Sequence, residues 1–217
     1  MSVLKSVNVG TATPTEHSDV PLTGIDKRAV AGPVRLAEPA EGSGVAGDDV
    51  CDLRHHGGPD QAVYAFAWED LEAWEDRIGA DIRPGLFGEN LTTVGVDVTG
   101  AVIGERWRIG TALLEVSVPR IPCRTFAAFL DERGWIKRFT AEARPGAYLR
   151  VVEPGEVAAG DTVEIVHRPA HGVDIGTVFR ALTTAPELLP QLVDVAELPD
   201  ETRQKARKRT GAGTAVN

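Results

Sequence analysis

A mainly β fold with added helices, an antiparallel β-barrel or strongly bent sheet closed by a small helical unit, is what this 217-residue sequence predicts. Three observations carry that expectation. From Val3 to Val166 short β-branched runs bounded by Gly, Pro and Asp dominate, the pattern of many short strands. Helical periodicity interrupts those runs in two places. Past His167 strand propensity falls away and three short segments of helical character follow.

Taken in order, strands are expected at Val3 to Val9, Gly24 to Val30, Val34 to Leu36 and Val63 to Ala67. A helix follows at Trp68 to Gly79, where Leu71, Trp74 and Ile78 recur at helical spacing, acidic residues lie largely between them, and Gly79 supplies a stop. Further strands fall at Leu91 to Thr93, Arg106 to Ile109 and Ala112 to Ser117. Gly110-Thr111 separates the last two as a two-residue hairpin loop does. After the Pro119 and Pro122 turn, Phe126, Phe129 and Leu130 form an apolar stripe ending near Gly134, and Trp135, Ile136 and Phe139 begin a second short helix. Ala147 to Val152 and Thr162 to Val166 complete the strands, and their number with few crossover helices suggests the barrel. The closing helical segments are Gly176 to Leu182, Ala185 to Leu192 and Pro199 to Thr210, with proline tolerated in the first turns. The boundary is placed near Pro169, giving units 1–167 and 168–217.

Composition bounds the function. Hydrophobic residues at 42% and charged residues at 25% are those of an ordinary folded chain. Lys plus Arg number 23 against 32 Asp plus Glu, a net charge of −9 that repels phosphate backbones and acidic membrane leaflets, so neither nucleic acid nor membrane is expected as a partner. The acid is unevenly placed: Arg203, Lys205, Arg207, Lys208 and Arg209 make the last stretch a basic tail, which reads as the favourable basic end of a last helix. No apolar run approaches a bilayer-spanning length and no secretory h-region opens the chain, so a cytoplasmic location is expected. The two cysteines, Cys51 and Cys123, exclude a disulfide framework.

Three segments could carry chemistry. Val118-Pro-Arg-Ile-Pro-Cys-Arg delivers Cys123 to a helix start between Arg120 and Arg124, conditions that favour a thiolate. Such a residue serves as nucleophile, persulfide carrier or soft-metal ligand, or is a buried structural thiol. Cys51 has acidic neighbours that disfavour the thiolate and reads as structural. Arg54-His-His-Gly-Gly-Pro-Asp sets three donors before two glycines, Gly57 and Gly58, that let a backbone approach an anionic or metal-bearing ligand. Pro84-Gly-Leu-Phe-Gly-Glu-Asn offers Glu89 as acid or base and Asn90 as an amide. Dinucleotide and NTPase glycine loops, the nucleophile elbow and HExxH are missing.

Together with Ile103-Gly-Glu-Arg-Trp-Arg-Ile-Gly, these segments resemble the MOSC domain (molybdenum cofactor sulfurase C-terminal domain), specifically its stand-alone bacterial YiiM-like branch. The order and spacing cover most of residues 1–167, and Val173 to Arg209 resembles the three-helix extension of that branch. The resemblance implies a MOSC-type barrel whose motif cysteine, matched by Cys123, ligates molybdenum of a pterin cofactor or handles sulfur. It implies an oxidoreductase that reduces N-hydroxylated bases or related N-oxygenated compounds, with a cofactor labile enough to be lost on purification. A separate electron-donating reductase is required, because the chain carries no flavin, haem or iron-sulfur signature of its own. Homo-oligomerisation stays open. On this reading Cys123 is the metal ligand and catalytic centre, with Glu89 or His56 relaying protons. Arg54, His56, Gly57, Gly58, Asn90, Arg120 and Arg138 bind cofactor, the arginines holding its phosphate. Two other readings use the same residues: a sulfur carrier holding a persulfide on Cys123, and a non-catalytic cofactor-binding module. The sequence departs from the family pattern at Arg124 and Thr125, where Trp and Lys are expected.

Overall fold

The computed structural model describes residues 1–211; residues 212–217, the end of the expected helical unit, lie outside the described residues. In chain order the strands are β1 (Val3–Gly10), β2 (Thr13–Pro14), β3 (Leu22–Thr23), β4 (Lys27–Ala29), β5 (Val34–Leu36) and β6 (Val63–Ala67). Helix α1 (Trp68–Glu72) precedes β7 (Leu91–Val94), β8 (Arg106–Ile109) and β9 (Ala112–Pro119). Helices α2 (Arg124–Leu130) and α3 (Trp135–Glu142) are followed by β10 (Ala147–Glu153), β11 (Gly155–Val157) and β12 (Val163–His167). The chain closes with α4 (Ile175–Leu182), a 3-10 helix at Pro186–Leu192 and α5 (Asp200–Thr210).

Eight strands form one sheet in the order β12-β8-β9-β10-β6-β7-β1-β4, antiparallel throughout except for the parallel pair β6–β7. The sheet is thus mainly antiparallel, as expected, and strongly bent, but it is not closed into the expected barrel. The sheet curls until the segment before β12 meets the start of β1, where Leu4 N donates to Asp161 O (2.8 Å) and Val163 N to Ser2 O (2.9 Å). That seam is the isolated bridge Val3–Thr162 and extends no further, because β4 occupies the same edge of β1 from Asn8 onward. The remaining strands pair outside this sheet, β5 with β11 and β2 with β3.

The expected helix from Trp68 to Gly79 is also shorter. After Glu72 the backbone tightens into turns (Trp74 N to Leu71 O, Glu75 N to Glu72 O), and Asp76 takes a left-handed φ of 60°, which ends helical propagation. Leu71 and Trp74 are buried all the same, since a tight turn presents them to the core as a helix would.

Strand β6 shows how the core is divided. Its five residues are all buried, and alternation sends Val63, Ala65 and Ala67 into an aliphatic cluster on one face and Tyr64 and Phe66 into an aromatic cluster on the other. At the centre of the aromatic cluster, the Phe87 ring lies 5.3 Å from both Phe126 and Trp135 and 5.2 Å from Phe66. These edge-to-face contacts clamp α2 and α3 onto the loop before β7. Helix α4, capped by Asp174 accepting from Thr177 N (2.6 Å), sends Val178 into the aliphatic cluster and Phe179 into the aromatic one.

Candidate functional site

The end of β9 runs through Arg120 to Cys123, which stands immediately before α2 in extended conformation (φ −116°, ψ 171°). The aromatic clamp fixes α2, and so fixes where the thiol lies. Cys123, His56, Gly57, Asn90 and Arg120, drawn from three separated segments, line one cavity.

The electrostatics centre on Cys123. Burial alone would raise its pKa, but a hydrogen bond from His56, the positive charge of Arg120 and the Phe126 backbone N–H outweigh burial and bring the thiol from 9.0 down to about 6. At neutral pH the sulfur is a thiolate. Arg120 is buried; its Nη1 donates to the Phe87 carbonyl, and its guanidinium lies 3.8 Å from the Phe126 ring centroid and 5.2 Å from that of Tyr64. Its Nε is buried with no hydrogen-bond partner among the described residues. An unspent donor on a buried cation beside a cavity favours an anionic group there.

Other nominated residues are placed differently. Glu89 is fully buried and does not line the cavity: its carboxylate accepts from Phe87 N (3.0 Å), Thr92 Oγ1 (2.8 Å) and Gly85 N, pinning the turn at 84–89. Arg138 is likewise away from it, because its Nη1 donates to Glu132 (2.7 Å) and its Nη2 to the Arg77 carbonyl, joining α3 to the turns after α1. Arg54 is exposed and outside the lining. Gly58 stays outside it as well; at φ 81°, ψ 178° it occupies backbone space that only glycine enters freely. Gly57 does line the cavity, yet its lack of a side chain serves packing, since a Cβ would sit 2.5 Å from the Gly42 carbonyl oxygen. Asn90 faces the cavity with its donors spent on Asn8 O (3.2 Å) and Asp48 Oδ2 (2.9 Å).

Sequence reasoning missed the opposite wall. Lys27, the first residue of β4, is buried against the carboxylate of Asp48, and both line the cavity with Ser43, Tyr64 and Tyr148. Cys51, read from sequence as structural, is a free thiol in the same cavity, its pKa raised by burial and by Asp49. The short β2–β3 hairpin covers this side, contributing Leu22 and Thr23 to the lining and receiving a hydrogen bond from Thr125 Oγ1 at His17 O (3.4 Å). Lys27 and Asp48 lie 21 residues apart with no motif to link them; the one signal was a lysine inside a predicted strand.

Among the described residues no cluster of three or more His, Cys, Asp or Glu side chains is placed to hold a metal ion. No helix among them is long and apolar enough to cross a membrane.

The chain is similar to known proteins over most of its length. The pattern of the MOSC domain matches residues 52–164. Protein YflK of Bacillus subtilis (strain 168) is 33% identical over 172 residues, covering 78% of this chain and 76% of that protein. A protein named reductase from Gibberella moniliformis is 30% identical over 161 residues, 72% of this chain but 28% of that longer protein. The crystal structure of YiiM from Geobacillus stearothermophilus superposes with a TM-score of 0.78 at 27% identity, over 96% of this chain and 99% of that one.

Proposed function

This chain belongs to the MOSC domain family as a YiiM-like protein, and from that premise we propose that it is a molybdenum-cofactor oxidoreductase reducing N-hydroxylated bases or related N-oxygenated compounds. The observation that carries the reading is the Cys123 thiolate, held between His56 and the buried Arg120 in a cavity lined by all three. A relative that bears the name reductase and contains a similar stretch within a longer chain supports the oxidoreductase class.

The residues present fit the cofactor. A thiolate is the soft ligand molybdenum takes, and the unspent Nε of Arg120 suits a pterin phosphate. Cys123 would be the residue that holds the metal, through its sulfur. When bound, the group supplies two-electron chemistry at an N–O bond. The chain's own side chains do the rest: Cys123 anchors, His56 hydrogen-bonds the sulfur and carries a proton, and Arg120 holds the anionic end. The overall change, R–NHOH + 2 e⁻ + 2 H⁺ → R–NH₂ + H₂O, needs an outside electron donor, for which we propose a separate reductase. We place the protein in the cytoplasm, with residues 1–167 as the site-bearing unit and the chain from 168 onward as its extension.

The test is reduction of N4-hydroxycytosine by protein made in a cofactor-competent host, with reduced methyl viologen as donor. Wild type is expected to form cytosine, and the Cys123→Ser protein is not. A cofactor-loaded wild type that forms no product overturns the reading. A one-sulfur adduct on Cys123 after treatment with a cysteine desulfurase would then point to the sulfur carrier.

A further inference from the structure

We propose that Lys27 is a proton donor of the cavity, delivering one of the two protons that each N–O reduction consumes. This rests on the reductase reading above. His56 accounts for one proton carrier in the cavity; Glu89, the other residue the sequence nominated, is sealed behind the 84–89 turn with its oxygens occupied.

The remaining acids of the lining compare unequally. The Tyr64 hydroxyl is buried and already donates to Pro145 O (2.7 Å), and burial pushes both its pKa and that of Tyr148 up, making them weaker acids. Cys51 is pushed up as well. Lys27 differs. Its side chain is 8% exposed, and of its three ammonium hydrogens Asp48 engages one, the sole hydrogen-bond partner of Nζ among the described residues.

Asp48 holds the lysine in place and is itself held by three further donors. Its carboxylate accepts from Gly10 N (2.7 Å), Ser43 Oγ (2.7 Å) and Asn90 Nδ2 (2.9 Å), so β1, the loop at 43–48 and the segment before β7 all fix its position. The charged groups that act on Lys27 are Asp48, Arg120 and Glu89. Burial and the Arg120 cation lower its pKa, the two carboxylates raise it, and the balance is a lowering from 10.5. The ammonium therefore releases a proton more readily than an exposed lysine. In turnover Lys27–NH₃⁺ gives one proton to the N–O group as water leaves, becomes Lys27–NH₂, and is recharged from solvent through the cavity mouth.

Two variants and one titration test this. Lys27→Arg keeps the charge but removes a releasable proton. Lys27→Met combined with Asp48→Asn removes both charges, so that no carboxylate is left buried and unpaired. In the cofactor-loaded proteins with reduced methyl viologen and N4-hydroxycytosine, both are expected to lower kcat about 100-fold while KM stays within a few-fold. Wild-type kcat should fall as pH rises through the Lys27 pKa, below 10.5, and the residual activity of the Arg protein should lack that limb. Independently of activity, ¹³C NMR of lysine-labelled, unloaded protein should show the signal that Lys27→Arg removes titrating below 10.5. A folded variant with wild-type kcat in an active system overturns the proposal and leaves the reductase reading intact. An ordinary lysine titration overturns it as well, even if neither variant folds. An inactive wild type overturns the reductase reading and this role together.

Discussion

Removing the His56 imidazole should return Cys123 toward an ordinary thiol, and the size of the effect follows from what surrounds the sulfur. The fall from 9.0 to about 6 favours the thiolate by about 4 kcal/mol, and it is achieved against the cost of burial. At pH 7 about nine-tenths of Cys123 is therefore ionised, against about one-hundredth for an unperturbed thiol. A hydrogen bond to a charged group contributes about 1.5–3 kcal/mol, so His56→Ala should move the midpoint from about 6 to between about 7 and 8. The assay is the pH dependence of iodoacetamide alkylation, followed by intact mass in a Cys51→Ala background so that Cys123 alone reports. The same ionisation enters stability with a definite sign. Because the folded pKa lies below the unfolded one, the unfolded chain binds more protons between pH 6 and 9, and wild type should gain stability over Cys123→Ser as pH rises through that window. An alkylation midpoint near 9 in wild type, or an unchanged one in His56→Ala, refutes the electrostatic reasoning.

Other substitutions separate packing from chemistry. Gly57→Ala drives a Cβ against the Gly42 carbonyl at a left-handed φ of 82° and should cost about 3 kcal/mol, whereas Gly58→Ala meets no neighbour and carries strain of about 1–3 kcal/mol; urea midpoints should rank them in that order. Glu89→Gln turns an acceptor of three donors into a group with its own N–H and should cost about 2–4 kcal/mol in thermal unfolding, while the folded fraction keeps the Cys123 alkylation midpoint. Arg138→Ala, which breaks a half-exposed ion pair on α3, should cost about 1 kcal/mol or less and leave molybdenum content unchanged.

What the sequence made legible was local or carried by motif. The hairpin of β8 and β9 turns at Gly110-Thr111 as its dipeptide foretold, because alternation and turn chemistry are both encoded within a few residues. Cys123 was singled out because two prolines, two arginines and a helix start lie beside it in the chain. The failures were non-local. The open seam between β1 and β12 depends on β4 claiming an edge, and the parallel β6–β7 pair depends on a crossover of more than twenty residues. Nothing in a local pattern encodes either. Glu89 and Arg138 looked functional because a charge beside a glycine loop or on a short helix reads alike whether its partner is a ligand or the protein's own backbone. Conversely, Lys27 was absorbed into a strand because its charge is balanced by Asp48, which only the fold brings near.

The central claim, that Cys123 anchors a molybdenum-pterin group in this cavity, is tested most directly by measuring molybdenum and pterin in protein purified from a cofactor-competent host, beside the Cys123→Ser protein. Both components are expected in wild type, in equal amounts, with loss of molybdenum from the variant at unchanged thermal stability below pH 6. Wild-type protein that carries neither component, even after reconstitution, would contradict it.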